Sequence, residues 1–259
     1  MIQQQIASKL NPEGADADAQ ARLSPANIFI HIQKTAGSSL RNALVHGLPE
    51  DRFALIYPYA LGISAMECLS LPESTRRRFD LIIGHFFYGI HRITPRPARY
   101  ATFVRDPMER IRSHFWQHRN FNSQFKHEGR PVELVTVVNE GLSDEFDNLQ
   151  LRMIAGLSEN LLPLGGVEAA HMQIALANIR ANFGFVGVTE KMAEDWPRLL
   201  NYLGYTPRPL NRDNVTPASA DPKGNSEFSR IDWERVKKRH QHEIALFQML
   251  CENPAPARP

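Results

Sequence analysis

Residues 28–39 read Ile28-Phe29-Ile30-His31-Ile32-Gln33-Lys34-Thr35-Ala36-Gly37-Ser38-Ser39. The change of character inside this stretch decides the fold. Ile28–Ile32 is a β-branched and aromatic run, the signature of a short strand. It gives way to small and polar residues, and Ser38-Ser39 opens a helix expected over Leu40–His46. The first unit is therefore strand, loop, helix. The strand signal recurs at Phe53–Tyr57, at Leu81–Ile83 before Gly84-His85, and at Ala101–Val104 before Arg105-Asp106. Runs this short and apolar suit strands buried on both faces, as in the middle of a parallel sheet.

Helical stretches fall between these strands. Asp106-Pro107-Met108-Glu109 is a start signal: Asp caps, Pro fits the first helical position, and Glu sits in the first turn. Met108, Ile111 and Phe115 then share one face. Further helices are predicted over Val132–Glu140, Asp144–Ile154 and Val167–Asn182, the last leading into a strand at Phe183–Val188. Met192, Trp196, Leu199 and Leu203 mark another, and Trp233, Val236, His240, Ile244, Phe247 and Cys251 stripe a final one. Residues 207–229 form a long polar connection, and long connections often carry function. Alternating strands and helices imply an α/β fold with a central, mostly parallel sheet flanked by helices. The expected organisation is a flexible arm over 1–26, one domain over 27–252 and a flexible tail over 253–259.

Composition narrows the function classes. The chain has 259 residues, 42% of them apolar and 22% charged, with a net charge of +2. Ordinary globular usage argues against disorder throughout, and near-neutrality argues against a nucleic-acid partner. Cys68 and Cys251 form neither a disulfide framework nor a metal-type pair. No run approaches the ~18–20 apolar residues of a membrane span, and the N-terminus lacks the apolar core of a secretory signal. The expectation is a cytoplasmic protein without a transmembrane segment.

Two constellations carry chemistry. In the loop Lys34-Thr35-Ala36-Gly37-Ser38-Ser39, small residues let backbone N–H groups approach an anion. The helix N-terminus adds its dipole, the hydroxyls donate, and Lys34 supplies a full charge. The same segment also reads as a plain βα turn with Ser38 as N-cap. It is not a Walker A loop, because the lysine precedes the small residues and Gly37 stands alone. The second constellation is Arg105 at a strand end with Ser113 eight positions later. Together they suit a phosphate, Arg105 through a bidentate contact. Two phosphate-type sites at the carboxyl ends of neighbouring strands mark the ligand crevice of an open α/β sheet.

These segments resemble a known family, the sulfotransferases that use 3′-phosphoadenylyl sulfate (PAPS). Ile30–Ser39 is similar to their 5′-phosphosulfate loop, and Phe103–Pro107 through Ser113 to their 3′-phosphate motif. The resemblance is nearest to the glycan-type branch that includes heparan sulfate 2-O-sulfotransferase and bacterial relatives. It continues through Ile83–Phe86, Asp147–Arg152, Phe185–Glu190 and Asn214–Pro217. It implies a P-loop-like three-layer fold, PAPS as donor with adenosine 3′,5′-bisphosphate (PAP) as leaving product, and an acceptor hydroxyl, on a carbohydrate by the branch resemblance. It implies that Lys34 contacts the bridging oxygen and sulfuryl group. Thr35, Gly37, Ser38 and Ser39, with Ala36 in the same turn, hold the 5′-phosphate. Arg105 and Ser113 hold the 3′-phosphate, and Asn214 and Thr216 lie on a loop closing over the nucleotide. Gln33 stands where the family often has proline. Ile83 stands where some glycan-type members carry a second histidine, so that histidine's role is absent or supplied elsewhere.

Sulfuryl transfer, like phosphoryl transfer, needs in-line attack and charge stabilisation on the leaving oxygen. Lys34 is assigned to that oxygen and His85 to the acceptor proton, and no metal is required. His114 and His118 have the i, i+4 spacing of metal ligands, but no acidic or Cys partner is evident in the sequence. They read as surface or acceptor-facing residues, while His240 reads as core or boundary. Arg110 and Arg112 read as solvated helix positions and Arg76-Arg77-Arg78 as a solvated turn. Phe86, Phe87, Tyr88 and Trp116 fit either an acceptor site or packing. Two alternatives stand beside the leading one: a magnesium-dependent phosphotransferase or nucleotide hydrolase, and a non-catalytic nucleotide- or glycan-binding protein.

Overall fold

The computed structural model describes residues 24–57, 62–210 and 227–252. Asn214 and Thr216, the tail from 253, residues 1–23 of the expected arm and the Ser38 side chain lie outside the described residues. Five parallel strands form the central sheet: β1 (Ala26–Ile30), β2 (Phe53–Ile56), β3 (Leu81–Gly84), β4 (Ala98–Val104) and β7 (Phe183–Val188). Their order is β2-β3-β1-β4-β7. The remaining strands, β5 (Phe125–His127) and β6 (Arg130–Val132), pair as a separate antiparallel hairpin.

Alternation along the buried strands feeds two apolar layers. Ile28, Ile30, Ile82 and Val186 pack against α6 (Leu149–Ala155), α7 (Ala169–Asn182) and α10 (Gln241–Glu252). Phe29, Ile83, Phe103 and Phe185 face the other way, onto Leu40 and Leu44 of α1 (Gly37–Val45) and Trp196 and Leu199 of α8 (Met192–Leu203). Each fully buried side chain of this size contributes about 1.5–3 kcal/mol. Two helical layers around one parallel sheet give the three-layer α/β architecture that the alternation implied. A third apolar cluster joins Ile111 and Phe115 of α4 (Pro107–Asn120) to Val137 of α5 (Leu134–Glu140) and Val236 of α9 (Trp233–Arg239). Two short helices, α2 (Ala65–Ser70) and α3 (Glu73–Arg77), lie between β2 and β3.

Several expectations are corrected. Val132 ends β6 rather than opening a helix, because Glu128 (φ 50°) and Gly129 (φ 77°) make the tight turn of a hairpin. Asp144–Ile154 is not one helix: a 3-10 turn ends at Phe146, and Asn148 at φ 53° breaks the chain before α6. The stripe from Trp233 to Cys251 is divided at His240 into α9 and α10. Arg76 and Arg77 are helical, and Arg76 donates to the carbonyls of Leu71 and Ile93 instead of facing solvent freely.

Candidate active site

Topology concentrates the site. From β1 the chain passes through α1 to the β2–β3 side of the sheet, whereas from β4 it moves to the β7 side. The crevice between the carboxyl ends of β1 and β4 is thus the switch point where α/β sheets bind ligands. The β1 end carries the Lys34 loop and the β4 end carries Arg105.

The loop is built for close backbone approach. Lys34 (φ 70°) and Ala36 (φ 62°) both adopt the left-handed region, which costs side-chain-bearing residues energy and clusters at binding sites. α1 begins at Gly37, preceded by Ala36, which offers no capping side chain. The Ser38 N-cap reading is therefore wrong: the N-cap is Ala36, and Ser38 lies inside the first turn of α1. Thr35 is buried, and its hydroxyl donates to the Ile32 carbonyl at 2.8 Å, bracing the turn. Ser39 is also buried, at the start of α1.

Arg105 reaches into this loop, its Nη1 donating to the Lys34 carbonyl at 3.2 Å. Arg105 and the Lys34 loop therefore meet between the ends of β1 and β4. Burial, and secondarily the Arg105 charge, hold the Lys34 amine below its usual range. An amide clamp fixes Arg105 in turn: Gln150 Oε1 accepts from the Arg105 N–H, and Gln150 Nε2 donates to the Arg105 carbonyl, both at 2.8 Å. The Gln150 N–H donates to buried Glu243 at 2.7 Å. Asp106 does cap α4, accepting from the Glu109 N–H at 3.0 Å. Ser113 is half-buried on the second turn of that helix.

Register brings a second group together. Ile30 and Ile56 both pair with Gly84, so the next residues, His31, Tyr57 and His85, end three adjacent strands at one level. The His31 and His85 rings lie 4.4 Å apart, and the Tyr57 ring meets His85 edge-on at 4.8 Å. His85 Nδ1–H donates to the His31 carbonyl at 2.6 Å, which leaves Nε2 with its lone pair. Burial lowers the His85 pKa, opposed by that hydrogen bond and by the Glu145 charge. His31 is lowered further, first by burial and then by His85. Its Nδ1 is hydrogen-bonded to the Tyr57 hydroxyl at 2.6 Å, and Arg41 stands over the Tyr57 ring.

Other readings change. Arg110 is not solvated but fully buried, and its Nη2 donates to the Glu145 carbonyl at 2.7 Å. His114 is not a surface residue: it is buried and meets both His118 and Glu145. Glu145 is the acidic partner that no local spacing could reveal. His240 is core, Phe86 and Trp116 are buried, and Tyr88 packs against both Tyr100 and Phe183, which also stack on each other. Sequence reasoning missed His31, Tyr57 and Gln150; the first two lie inside the strands read from the sequence, and only the observed ends of β1 at Ile30 and β2 at Ile56 set them at the strand tips.

No family model matches the chain, and no curated protein matches it. Among solved structures, it is similar to a sulfotransferase from Alicyclobacillus acidocaldarius, with 15% identity over 83% of this chain and 96% of that one and a TM-score of 0.39. It is also similar to mouse sulfotransferase SULT7A1 complexed with PAP, with 13% identity over 90% and 94% and a TM-score of 0.42. No helix among the described residues is long and apolar enough to cross a membrane.

Proposed function

We propose that the chain is a sulfotransferase that moves a sulfuryl group from PAPS to an acceptor hydroxyl, on a carbohydrate by the resemblance of its motifs. One observation carries this reading: two cations from neighbouring strand ends, Lys34 and Arg105, converge on one crevice, with His85 standing at the end of the next strand. Like charges held together and partly desolvated are relieved by an anionic ligand.

In this reading the loop from Lys34 to Ser39 cradles the 5′-phosphosulfate with backbone N–H groups at the start of α1. Arg105 turns from the Lys34 carbonyl to the 3′-phosphate, with Ser113 donating beside it, and Gln150 keeps the Arg105 backbone in place. Asn214 and Thr216 close over the nucleotide. His85 Nε2 removes the acceptor proton as the acceptor oxygen attacks sulfur. The bond from sulfur to the bridging oxygen breaks, and Lys34 stabilises the negative charge left on the 5′-phosphate. The His31 carbonyl holds His85 Nδ1, and Tyr57 packs edge-on against the ring, so both position it.

The phosphotransferase alternative needs an acidic metal ligand after β4. Asp106 is instead engaged as the cap of α4, which favours sulfuryl transfer. Calorimetric titration with PAP and, separately, with ATP plus magnesium tests the choice. PAP is expected to bind and ATP to compete weakly; tight magnesium-dependent ATP binding without PAP binding overturns the assignment. Transfer of labelled sulfate from PAPS to a panel of hydroxyl acceptors separates an enzyme from a non-catalytic binder.

A further inference from the structure

Apart from the nucleotide grips, His114, His118 and Glu145 bring three ligand atoms face to face. His114 Nε2 and His118 Nε2 lie 2.9 Å apart, and they lie 3.1 Å and 2.8 Å from the same carboxylate oxygen, Glu145 Oε2. Each imidazole nitrogen offers in its ring plane either one N–H or one lone pair, never both. No arrangement of protons therefore makes all three edges linear hydrogen bonds. Two N–H groups aimed at the carboxylate oppose each other across the 2.9 Å edge, and a proton between the nitrogens leaves a lone pair facing the carboxylate.

A cation at the centre makes all three contacts attractive. Tetrahedral zinc with bonds of about 2.0–2.2 Å sets its ligand atoms roughly 3.3 Å apart, so each edge opens by only a few tenths of an ångström. We propose that His114, His118 and Glu145 form a site of two imidazoles and one carboxylate for a divalent transition-metal ion of the zinc class, with its fourth position open.

The surroundings suit that assignment. His118 Nδ1 is hydrogen-bonded to the Ser123 hydroxyl at 3.0 Å, so Nδ1 carries the proton when Nε2 binds metal. Arg110 anchors the Glu145 backbone through its carbonyl. α4 holds the two histidines one turn apart on the same face, a rigid platform. The side chains of His118 and Glu145 are 15% and 29% exposed and that of His114 is buried, so the cluster lies at the edge of the core with two of its three groups reaching solvent. Two imidazoles with one carboxylate select zinc, cobalt or nickel over magnesium or calcium, which prefer all-oxygen sites.

The test uses the full chain stripped with a chelator. Zinc is titrated against a chromophoric competitor, and cobalt(II) is added separately and followed by its visible absorption. The expected result is about one zinc per chain and the intense bands of four-coordinate cobalt. Zinc affinity should fall more than ~100-fold in both His118→Ala and Glu145→Gln. These two residues are chosen over buried His114 because their partial exposure makes misfolding less of a risk. Undiminished zinc binding in both variants overturns the site, as does wild-type protein that neither holds zinc nor gives the cobalt spectrum. The cobalt spectrum decides the matter without any variant, should a variant fail to fold. A parallel PAP titration keeps this result separate from the sulfotransferase assignment, since neither substituted residue belongs to the nucleotide grips.

Discussion

Replacing Gly84 with Ala sets a Cβ 1.8 Å from the Ile56 carbonyl oxygen and 2.6 Å from its carbon. That is a collision with backbone, which cannot rotate away. Reaching ordinary van der Waals contact requires β2 and β3 to part by roughly 1.5 Å at this point. The same carbonyl accepts the His85 N–H at 3.0 Å, so the opening also breaks the bond that ties the end of β3 to β2. Overpacking and the lost hydrogen bond together should cost about 2–4 kcal/mol, or roughly 5–15 °C in melting temperature for a chain of this size. The functional loss should exceed what stability alone implies. A shift of about 1 Å in a catalytic group lowers turnover about 100-fold, and His85 moves with Gly84. Lys34 and Arg105 hang from β1 and β4 and do not share that carbonyl, so PAP affinity should stay within roughly twofold. The assay is sulfate transfer under saturating PAPS, with PAP calorimetry and a thermal melt on the same sample. A folded Gly84→Ala protein with wild-type transfer would refute the placement of His85 as base.

Arg105→Lys exchanges a planar fork for a point charge. It should weaken PAP about tenfold while leaving adenosine 5′-monophosphate, which lacks the 3′-phosphate, nearly unchanged; equal losses for both ligands would move Arg105 away from the 3′ end. Asp147→Ala removes the carboxylate that meets buried Arg152 and accepts the Gly165 N–H at 2.9 Å. Stripping one partner from a fully buried pair should cost ~3–5 kcal/mol in a urea melt, with little change in PAP affinity per folded molecule. Acid should act twice. With His85 as the proposed base, turnover needs it neutral, and burial lowers its pKa, so kcat/KM should hold through neutrality and fall only below the ordinary histidine range. Stability has the same sign. Buried His31 and His240, the latter pushed down to about 3, stay neutral in the fold while the unfolded chain takes up protons below about pH 6.5. Each therefore removes up to ~1.4 kcal/mol per pH unit as pH falls through that window, which urea melts at pH 7.5 and 5.5 would measure.

The sheet was legible because its strands are short, apolar on both faces and bounded by small or charged residues; Phe183–Val188 is a case where the run and the element coincide. The cap Asp106-Pro107 was legible because its logic is local. Breaks were not. Asn148 and His240 interrupt helical periodicity for tertiary reasons: Asn148 Nδ2 donates to the Arg239 carbonyl across the molecule at 3.2 Å, and His240 is packed into the core. Arg110 looked solvated on a helix with charged neighbours, yet it ends wholly buried beneath Glu145. Periodicity reports which face is apolar; it does not report which charge the rest of the chain will cover.

The same distinction applies within the site. Lys34 and Arg105 announce themselves because each is the first charged residue after an apolar strand run. Gln150 lies 45 positions beyond Arg105, and Glu243 a further 93 beyond Gln150; Gln150 falls in the resembling segment Asp147–Arg152 with no sign there of its partner, and Glu243 has no local mark. Their effect is nonetheless specific. The Gln150 amide pairs with both backbone groups of Arg105, so the swing toward a ligand proposed for its side chain would start from an anchored main chain. Glu243 accepts the Gln150 N–H from α10, at the far end of the described chain. The position of the arginine thus depends on the docking of the last helix. That dependence explains why buried polar groups survive between α6 and α10, where apolar packing would serve stability alone: an apolar side chain at 150 could fill the space but could not hold both backbone groups of one residue.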